Sequence, residues 1–509
     1  MDRNPGILIK NAMIYDHNGD TDLPRRGDIL IEGNRIAAVG DVAGQANSAE
    51  RPPQTIDASD KLVLPGFINA HYHSHDTLLK GCFETIPLEF WILNALPPAY
   101  PKRSKEEVRA RTLIGALECI RYGITTVQDM LTLYPFDREH VDVVLDAYDS
   151  IGLRVVFAPQ FSDIRGIDRV PNWKEEIPPS YLARLGFSVE PFSDLHPVDV
   201  VEGLYLSHRG RHPRLTWGLA PTSPEFCTPD LLERIADVSS RHRLPVFTHI
   251  NESKSMAVAG RVYMPEFNGS QVEYLRHVGL LGPSLALAHS VWMTPHEIEM
   301  LAQTGTNVVV NPVGNLKTKS GIAPIREFLE AGINVGLGCD NCSCSDTQNM
   351  FAALHLFASL PAVTNPRPGR PFASDAIHAA TLGGARAVGL EGQVGALRPG
   401  MKADLSLLEL TEPSFVPLNS VARQVVFTES GASVDTVIVD GKIVMADRRM
   451  KTIDESEIRE AVAAVMPGLK ADLDIIEQRL QAVEPYLLKA WMRSWETDIG
   501  VNRYAGADG

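Results

Sequence analysis

The chain has 509 residues, of which 44% are hydrophobic and 22% are charged, and its net charge at pH 7 is −15. This length suits two or three domains, and the composition excludes extended disorder. The negative charge repels phosphate backbones, so we expect no nucleic-acid partner.

Neither secretion nor membrane insertion is expected from the sequence. The first residues lack a basic region followed by an apolar run, and no apolar stretch reaches the roughly 18 residues of a membrane-spanning helix. Six cysteines over this length are too few for a disulfide framework. We therefore expect free thiols, a reducing cytoplasmic location and no membrane partner.

The two chain ends share one pattern of short apolar runs separated by turns. It occurs in residues 6–40 and returns in residues 403–408 and 434–444, and it is typical of small strands. Each end alone has too few strands to bury a sheet face. The sequence therefore predicts a β-sandwich domain built from residues 1–64 and 387–450.

Between these ends, in residues 65–386, strand-like runs alternate with helical periodicity. The predicted strands lie at Thr125–Val127, Arg154–Ala158, Leu215–Ala220, Val246–His249, Leu285–His289, Asn307–Val310 and Ile333–Gly338. The predicted helices are Glu106–Arg121, Asp230–Arg241, Pro295–Thr304 and Pro324–Ala331. The pattern predicts an α/β fold with a TIM-type (β/α)8 barrel. A doubly wound sheet is the alternative, although no Gly-x-Gly-x-x-Gly motif follows an early strand.

Two segments depart from this alternation. Residues 160–212 mix proline, aromatic and charged residues and are too long for an ordinary connection, so we predict a loop insertion over one barrel face. Residues 451–509 contain apolar positions spaced by three or four, which predict a C-terminal helical region. That region is expected to pack either on its own barrel or on a second subunit.

Histidines and acids stand at the ends of several predicted strands. His71 and His73 are two residues apart and therefore share a strand face, although this pair alone could equally be a polar strand end. His249, His289 and Asp340 end three further strands. Because the carboxyl ends of barrel strands meet at one mouth, three imidazoles and a carboxylate there suit Zn²⁺ or Fe²⁺.

These motifs resemble those of a known family. The sequence is similar to the amidohydrolase superfamily, in particular the branch of cytosine deaminase, the adenosine-type deaminases and the triazine hydrolases. The matching segments are Pro65–His73, Gly123–Val127, His249–Glu252, Ala288–Trp292, Asn315–Lys317, Ser320–Pro324, Gly338–Asp340 and Gly400–Leu405. Their joint occurrence in this order covers most of the chain.

The resemblance implies one divalent metal ion, zinc or iron, held by His71, His73, His249 and Asp340. It also implies Glu252 and His289 as catalytic groups. These roles agree with the chemistry, since a metal lowers the pKa of bound water to about 7. Glu252 can take the water proton and pass it to the leaving group, His289 can orient the hydroxide, and Asp340 can share the proton transfer.

Some positions differ from the family's usual pattern. Lys80 stands where many relatives carry arginine, and Gly314 precedes Asn315 where a serine is usual. No bridging lysine is found near residues 156–160, which favours one metal. Because the differences lie where substrate contacts are expected, the substrate itself is not carried over. We expect Trp91, Trp292 and Asn315 to contact it, the two tryptophans as an apolar wall for a flat ring.

We predict a hydrolase in which activated water attacks an electron-poor carbon of an amino- or halo-substituted nitrogen heterocycle, a small-molecule substrate. Deamination is expected, or dehalogenation, and the enzyme is expected to be a homo-oligomer. A hydrolase of an acyclic amide, urea or carbamate is the first alternative. A catalytically silent barrel that acts as a binding or assembly protein is the second.

Overall fold

The computed structural model describes residues 6–42, 52–182, 185 and 196–504. Its centre is a barrel with eight strand positions, two of them interrupted. The strands are Phe67–His73, Ile124–Leu131, Arg154–Phe161, Leu215–Trp217 with Ala220–Pro221, Val246–Ile250, Leu285–His289, Asn307–Val310, and Val335–Leu337 with Asp340–Asn341. All pairings between them are parallel. The predicted (β/α)8 barrel is confirmed.

Two pairings close the barrel. A parallel bridge between Leu219 and Val246 joins its two halves on one side. On the other side Asp340 pairs with Tyr72, and Asn341 pairs with His73. The last strand therefore ends directly beside the first, which brings the carboxylate of the last strand next to the histidines of the first.

The barrel interior is filled by small and branched side chains. The buried set includes Ile68, Ala70, Met130, Val156, Ala158, Ala220, Phe247, Ala286 and Val309. The pairing between the first two strands shifts register between Asn69 and Tyr72. Such an irregularity re-aims the side chains that follow it. It lets Ala70 fill the core while His71 and His73 both point into the mouth.

Helices surround the barrel at the predicted places. The four predicted helices are found at Lys105–Arg121, Pro229–His242, Pro295–Thr304 and Ile325–Glu330. The other α-helices are Leu88–Ala95, Arg138–Ile151, Trp173–Glu176, Pro179–Leu182, Pro197–His208, Lys254–Tyr263, Gln271–His277, Pro312–Lys317, Cys342–Ser345, Met350–Ser359, Pro361–Thr364, Ala373–His378, Gly384–Ala387, Val421–Phe427, Glu455–Gln481 and Glu484–Trp495. Among the described helices, none is both long and apolar enough to cross a membrane.

The predicted association of the two chain ends is confirmed, and their strands form one nine-stranded sheet where a β-sandwich was predicted. Its strands are Ile7–Ile14, Arg26–Glu32, Arg35–Gly40, Gln54–Asp57, Lys61–Pro65, Leu405–Glu409, Val434–Val439, Lys442–Ala446 and Arg449–Met450. The antiparallel pair Lys61–Pro65 and Leu405–Glu409 connects the N-terminal strands to the C-terminal ones. Since Lys61–Pro65 runs almost directly into the first barrel strand, this sheet fixes where that strand begins.

The predicted loop insertion at 160–212 is only partly loop. Its last part forms the helix Pro197–His208, in which Val198 and Val201 are buried in the main core. Their spacing of three residues is a helical signal that the proline-rich start of the segment obscured. Residues 183–184 and 186–195 lie outside the described residues.

The C-terminal helices pack on the protein's own barrel, which is the first of the two arrangements that the sequence left open. Glu455–Gln481 contacts the barrel helix Lys105–Arg121. Leu469, Leu480 and Leu487 share a buried cluster with Trp91. The C-terminal region therefore packs against the helix Leu88–Ala95, which carries Trp91.

A buried ion cluster connects the barrel to the chain-end sheet. Arg154, on a barrel strand, donates from Nε to Asp404 Oδ2 at 2.6 Å and from Nη2 to Asp440 Oδ1 at 3.0 Å. The backbone N–H of Asp440 donates to Asp404 Oδ1 at 2.7 Å. Burial alone would raise the pKa of Asp440, but the Arg154 guanidinium holds it below its ordinary value. Lys402 Nζ also lies 3.3 Å from Asp440 Oδ1, so two cations balance the two buried carboxylates, none of which would be stable there without a partner.

We expect Arg154→Met to destabilise the protein by about 3–5 kcal/mol, because it leaves the buried Asp404 without its cation and Asp440 with Lys402 alone. The exposed pair of Arg423 with Asp22 provides a control, since Arg423→Met should cost about 0–1 kcal/mol. Chemical denaturation followed by circular dichroism measures both. Equal midpoints for the two variants would contradict the structural role of the cluster.

Candidate active site

Five of the predicted site residues lie close together at the carboxyl ends of the barrel strands. His71 Nε2 lies 3.1 Å from His73 Nε2, and His249 Nε2 lies 3.4 Å from His73 Nε2. Asp340 Oδ1 is 3.5 Å from Nε2 of both His71 and His73. Potential ligand atoms of His71, His289 and Asp340 likewise lie within 4.8 Å of one another. The structure thus brings four imidazoles and a carboxylate to one point.

Backbone carbonyls fix the orientation of two of these rings. His73 Nδ1–H donates to the Met130 carbonyl at 2.5 Å, and His249 Nδ1–H donates to the Thr222 carbonyl at 2.6 Å. With Nδ1 protonated, the Nε2 lone pair of each ring faces the shared centre. Burial, followed by the neighbouring imidazoles, lowers the pKa of both histidines well below the ordinary value. Both rings are therefore neutral donors of a lone pair.

Asp340 supplies the negative charge of this centre. Burial alone would raise its pKa, but the facing imidazoles of His289, His71 and His73 hold that pKa well below the ordinary value. Cys344, one helical turn further along the chain, donates from Sγ to Asp340 Oδ2 at 3.3 Å. The carboxylate is thereby held ionised and aimed into the cluster.

Unusual backbone conformations mark the same strand ends. Asn251, His289, Ser290 and Asp340 have φ values of 45°, 70°, 49° and 65°. Non-glycine residues rarely adopt this left-handed region, which costs of order 1–3 kcal/mol each. Such strain persists where the surroundings enforce it, and here it turns the side chains of His289 and Asp340 toward the mouth.

Glu252 and His289 form a second pair beside the cluster. His289 Nε2 lies 3.3 Å from Glu252 Oε2, and His289 Nδ1–H donates to Asn315 Oδ1 at 2.8 Å. Ser320 donates from Oγ to Glu252 Oε1 at 3.4 Å. Burial, the Asp340 charge and the Glu89 charge raise the pKa of Glu252 well above its ordinary value. Burial lowers the pKa of His289 to about 4.

A solvent-open cavity lies against this set of residues. One wall is apolar and contains Leu88, Trp91, Ile92, Leu96, Phe226 and Met256. Its other lining residues are His73, His75, Gln160, Ser223, His249, Glu252, His289, Asp340, Asn341 and Cys344. The arrangement can hold a flat, partly apolar molecule against an acid–base pair and a group of metal-ligating atoms.

The three predicted substrate contacts have different positions. Trp91 lines the cavity, and its Nε1–H donates to Ser343 Oγ at 2.8 Å. Among the described residues, Trp292 and Asn315 are not part of the lining. Trp292 is buried against Trp495, and its Nε1–H donates to the Ser320 carbonyl at 2.7 Å. Trp292 therefore holds the backbone at Ser320, whose side chain donates to Glu252. Asn315 contacts His289 and not the cavity.

Several lining residues were not predicted from the sequence. Gln160, Ser223 and Phe226 belong to barrel strands and their loops, whereas Met256 lies on the helix after His249. Gln160 ends a strand and Ser223 follows one, so the strand-end rule could have found them. Cys344 lies four residues after Asp340, in a segment with cysteines at positions 339, 342 and 344. This unusual density of cysteines beside a site residue was the signal that could have identified it.

The match to known proteins agrees with this geometry. The amidohydrolase family model matches residues 62–444, which is most of the chain. The 5'-deoxyadenosine deaminase of Methanothermobacter thermautotrophicus is 31% identical over 469 residues, covering 91% of this chain and 100% of that protein. The 5-methylthioadenosine/S-adenosylhomocysteine deaminase of Thermococcus kodakarensis is 33% identical over 440 residues, covering 86% and 94%.

Solved structures share the fold. An adenosine deaminase from Xanthomonas campestris with bound zinc superimposes with a TM-score of 0.80 at 23% identity, covering 92% of this chain and 99% of that one. An atrazine chlorohydrolase from Arthrobacter aurescens complexed with zinc gives a TM-score of 0.74 at 24% identity, covering 91% and 100%. The chain therefore belongs to the amidohydrolase family and is a metal-dependent hydrolase.

Proposed function

We propose that this enzyme deaminates an amino-substituted nitrogen heterocycle, and that an adenosine-type nucleoside is the first substrate class to consider. The observation that carries the proposal is the convergence of His71, His73, His249 and Asp340 beside the pair of Glu252 and His289. The named activities of the relatives at 31% and 33% identity favour deamination over loss of halide.

The donor set fits one divalent metal ion. We assign His71, His73, His249 and Asp340 as ligands, because three neutral imidazoles and one carboxylate suit Zn²⁺ or Fe²⁺. The rings of His73 and His249 are already held by backbone carbonyls in the tautomer that binds a cation. The zinc found in the solved neighbours favours zinc here. The ion supplies Lewis acidity that makes water a nucleophile at neutral pH.

Residues of the chain transfer the protons and orient the attacking water. Glu252 takes the proton of the attacking water at a carboxylate oxygen and delivers it to the heterocycle or its departing amine. His289 donates from Nδ1 to Asn315, so its Nε2 lone pair is left to orient the water. That Nε2 lies 3.3 Å from Glu252 Oε2 but, among the described residues, forms no hydrogen bond, so it can accept one from the water. The apolar wall around Trp91 excludes bulk water from the ring face.

We further propose that the enzyme works in the reducing cytoplasm on a small molecule, as a homo-oligomer. Its six cysteines are all free thiols, five of them buried. Buried thiols without disulfides suit a reducing compartment.

A substrate screen tests the reaction class. Metal-loaded protein should release ammonia from adenosine-type nucleosides or other amino-substituted purines and pyrimidines, because the cavity pairs a flat apolar wall with a proton shuttle. An ammonia assay and a chloride assay, run on amino-heterocycles, chlorotriazines and aryl ureas, separate the possibilities. Chloride from the triazines alone, or amine from the ureas alone, would replace deamination with that reaction. Turnover of none would favour a binding protein.

Metal content and turnover should respond differently to ligand and shuttle variants. We expect His249→Ala and Asp340→Ala to lose bound metal and activity together. Glu252→Gln should keep the metal and lose about 100-fold or more in kcat, because only the proton transfer is removed. Elemental analysis and steady-state kinetics measure both quantities. The exposed His296→Ala serves as control and should change neither. Full turnover by Glu252→Gln would remove the shuttle role.

Asn315 should act as a positioning residue for His289. Asn315→Ala removes the acceptor of His289 Nδ1–H, so we expect kcat to fall about 10- to 100-fold at unchanged metal content. Asn315→Asp keeps an oxygen acceptor in the same place and should restore most of kcat. A merely structural role would instead lower stability equally in both variants, which thermal denaturation would reveal.

A further inference from the structure

Residues 499–504, here called the tail, follow the last helix and pack against the barrel. Ile499 is buried in the main hydrophobic core, and Val501 and Tyr504 are half-buried against it. Among the described residues, no member of the tail lines the catalytic cavity. An influence of the tail on the reaction must therefore pass through the residues that it contacts.

The first of these contacts is with the segment Thr318–Ile322. The backbone N–H of Ile322 donates to the Arg503 carbonyl at 2.9 Å, and the hydroxyl of Tyr504 donates to the Lys319 carbonyl. Gly321, with a φ of 107°, permits the close approach, because a Cβ there would lie 2.9 Å from the Arg503 carbonyl oxygen. The tail thus holds this segment on both sides of the residue at position 320.

That residue, Ser320, connects the segment to the catalytic pair. Ser320 is fully buried, and its Oγ donates to Glu252 Oε1 at 3.4 Å. Its backbone N–H donates to the Asn315 carbonyl at 2.8 Å, and Asn315 Oδ1 in turn accepts from His289 Nδ1–H. The segment that the tail holds therefore contacts Glu252 directly and His289 through one further residue.

The tail also contacts the backbone that follows each member of the pair. Arg261, on the helix that begins two residues after Glu252, donates from Nη2 to the Ile499 carbonyl at 3.5 Å. Arg503 donates from Nη2 to the carbonyl of Met293, in the loop after the next barrel strand. Three separate segments around the catalytic pair are therefore joined through the tail.

These contacts matter because loops at a barrel mouth are mobile unless other parts of the chain hold them. A displacement of 1 Å in a reacting group can cost about 100-fold in rate. We propose that the tail is a positioning element of the proton-transfer pair, which keeps Ser320 against Glu252 and Asn315 against His289. The inference rests on the proposed function, since it names what orients the two residues to which that function assigns the water and its proton.

Deletion of residues 499–509 tests this role in the metal-loaded enzyme. We expect kcat to fall about 10- to 100-fold, because Ser320 and Asn315 are no longer held in place. KM and metal content should stay at the wild-type values, because the tail supplies neither a cavity residue nor a metal ligand. Steady-state kinetics and elemental analysis measure these quantities. A wild-type kcat in the deletion variant would overturn the proposal.

A single hydroxyl provides a milder variant of the same test. Tyr504→Phe removes the hydrogen bond to the Lys319 carbonyl and should lower kcat about 2- to 10-fold. Tyr486→Phe is the matched control, because the Tyr486 ring packs on Tyr181 and its hydroxyl donates to no described residue of the segment Thr318–Ile322. The control should keep the wild-type kcat.

Hydrogen exchange followed by mass spectrometry tests the positioning without a substrate. In the deletion variant we expect faster exchange in the peptide that covers Asn315–Ser320, while the strands Val246–Ile250 and Leu285–His289 keep their exchange rates. Faster exchange throughout the barrel, with a lower Tm, would indicate a general loss of stability and would contradict a positioning role.

The remaining outcomes are also decisive. If the deletion variant does not fold, Tyr504→Phe replaces it, and a wild-type kcat with unchanged exchange in Asn315–Ser320 would then overturn the proposal. If no amino-heterocycle is converted, the proposed function fails. The exchange rates then decide by themselves whether the tail holds the segment, and unchanged rates would overturn that inference.

Discussion

The closure of the barrel between its last and first strands is the constraint on which the site depends. Asp340 pairs with Tyr72 across this seam, and the carboxylate reaches 3.5 Å from the imidazoles of His71 and His73. The chain-end sheet fixes the start of the first strand, and the Arg154 cluster ties that sheet to the barrel. Residues far from the mouth therefore determine how accurately the ligand atoms meet, since a metal centre tolerates displacements of only a few tenths of an ångström.

Around this seam, the protein controls protonation through hydrogen bonds as well as through burial. The carbonyls of Met130 and Thr222 set the tautomers of two histidines. Asn315 does the same for His289, with the opposite ring nitrogen left facing Glu252. The side chains of the cluster therefore already have the orientation and protonation that metal binding requires. The left-handed backbone at Asp340 and His289 is a conformational strain that accompanies this preorganisation.

Much of this could be predicted from the sequence, because periodicity and strand-end position are local signals. The barrel, the chain-end sheet, the C-terminal helices and the convergence of the histidines followed from them. Trp292 shows where such signals stop: it follows a site histidine, but its ring packs against Trp495, more than 200 residues away. The lining residues Ser223 and Met256 depend on how loops fold back over the mouth. No local sequence pattern predicts such contacts between residues that are far apart in the chain.

Two buried arginines show two ways in which the fold stabilises a buried positive charge. Arg154 is met by Asp404 and Asp440, so its charge is balanced within the protein and it joins two sheets. Arg111 is equally buried, and no described residue accepts a hydrogen bond from its Nε or Nη2, but the carboxylates of Glu107, Asp129 and Asp76 lie near it. Desolvating a guanidinium costs several kcal/mol in either place. In the first case direct ion pairs with two carboxylates recover that cost, and in the second nearby carboxylates of the protein stabilise the charge without direct contact.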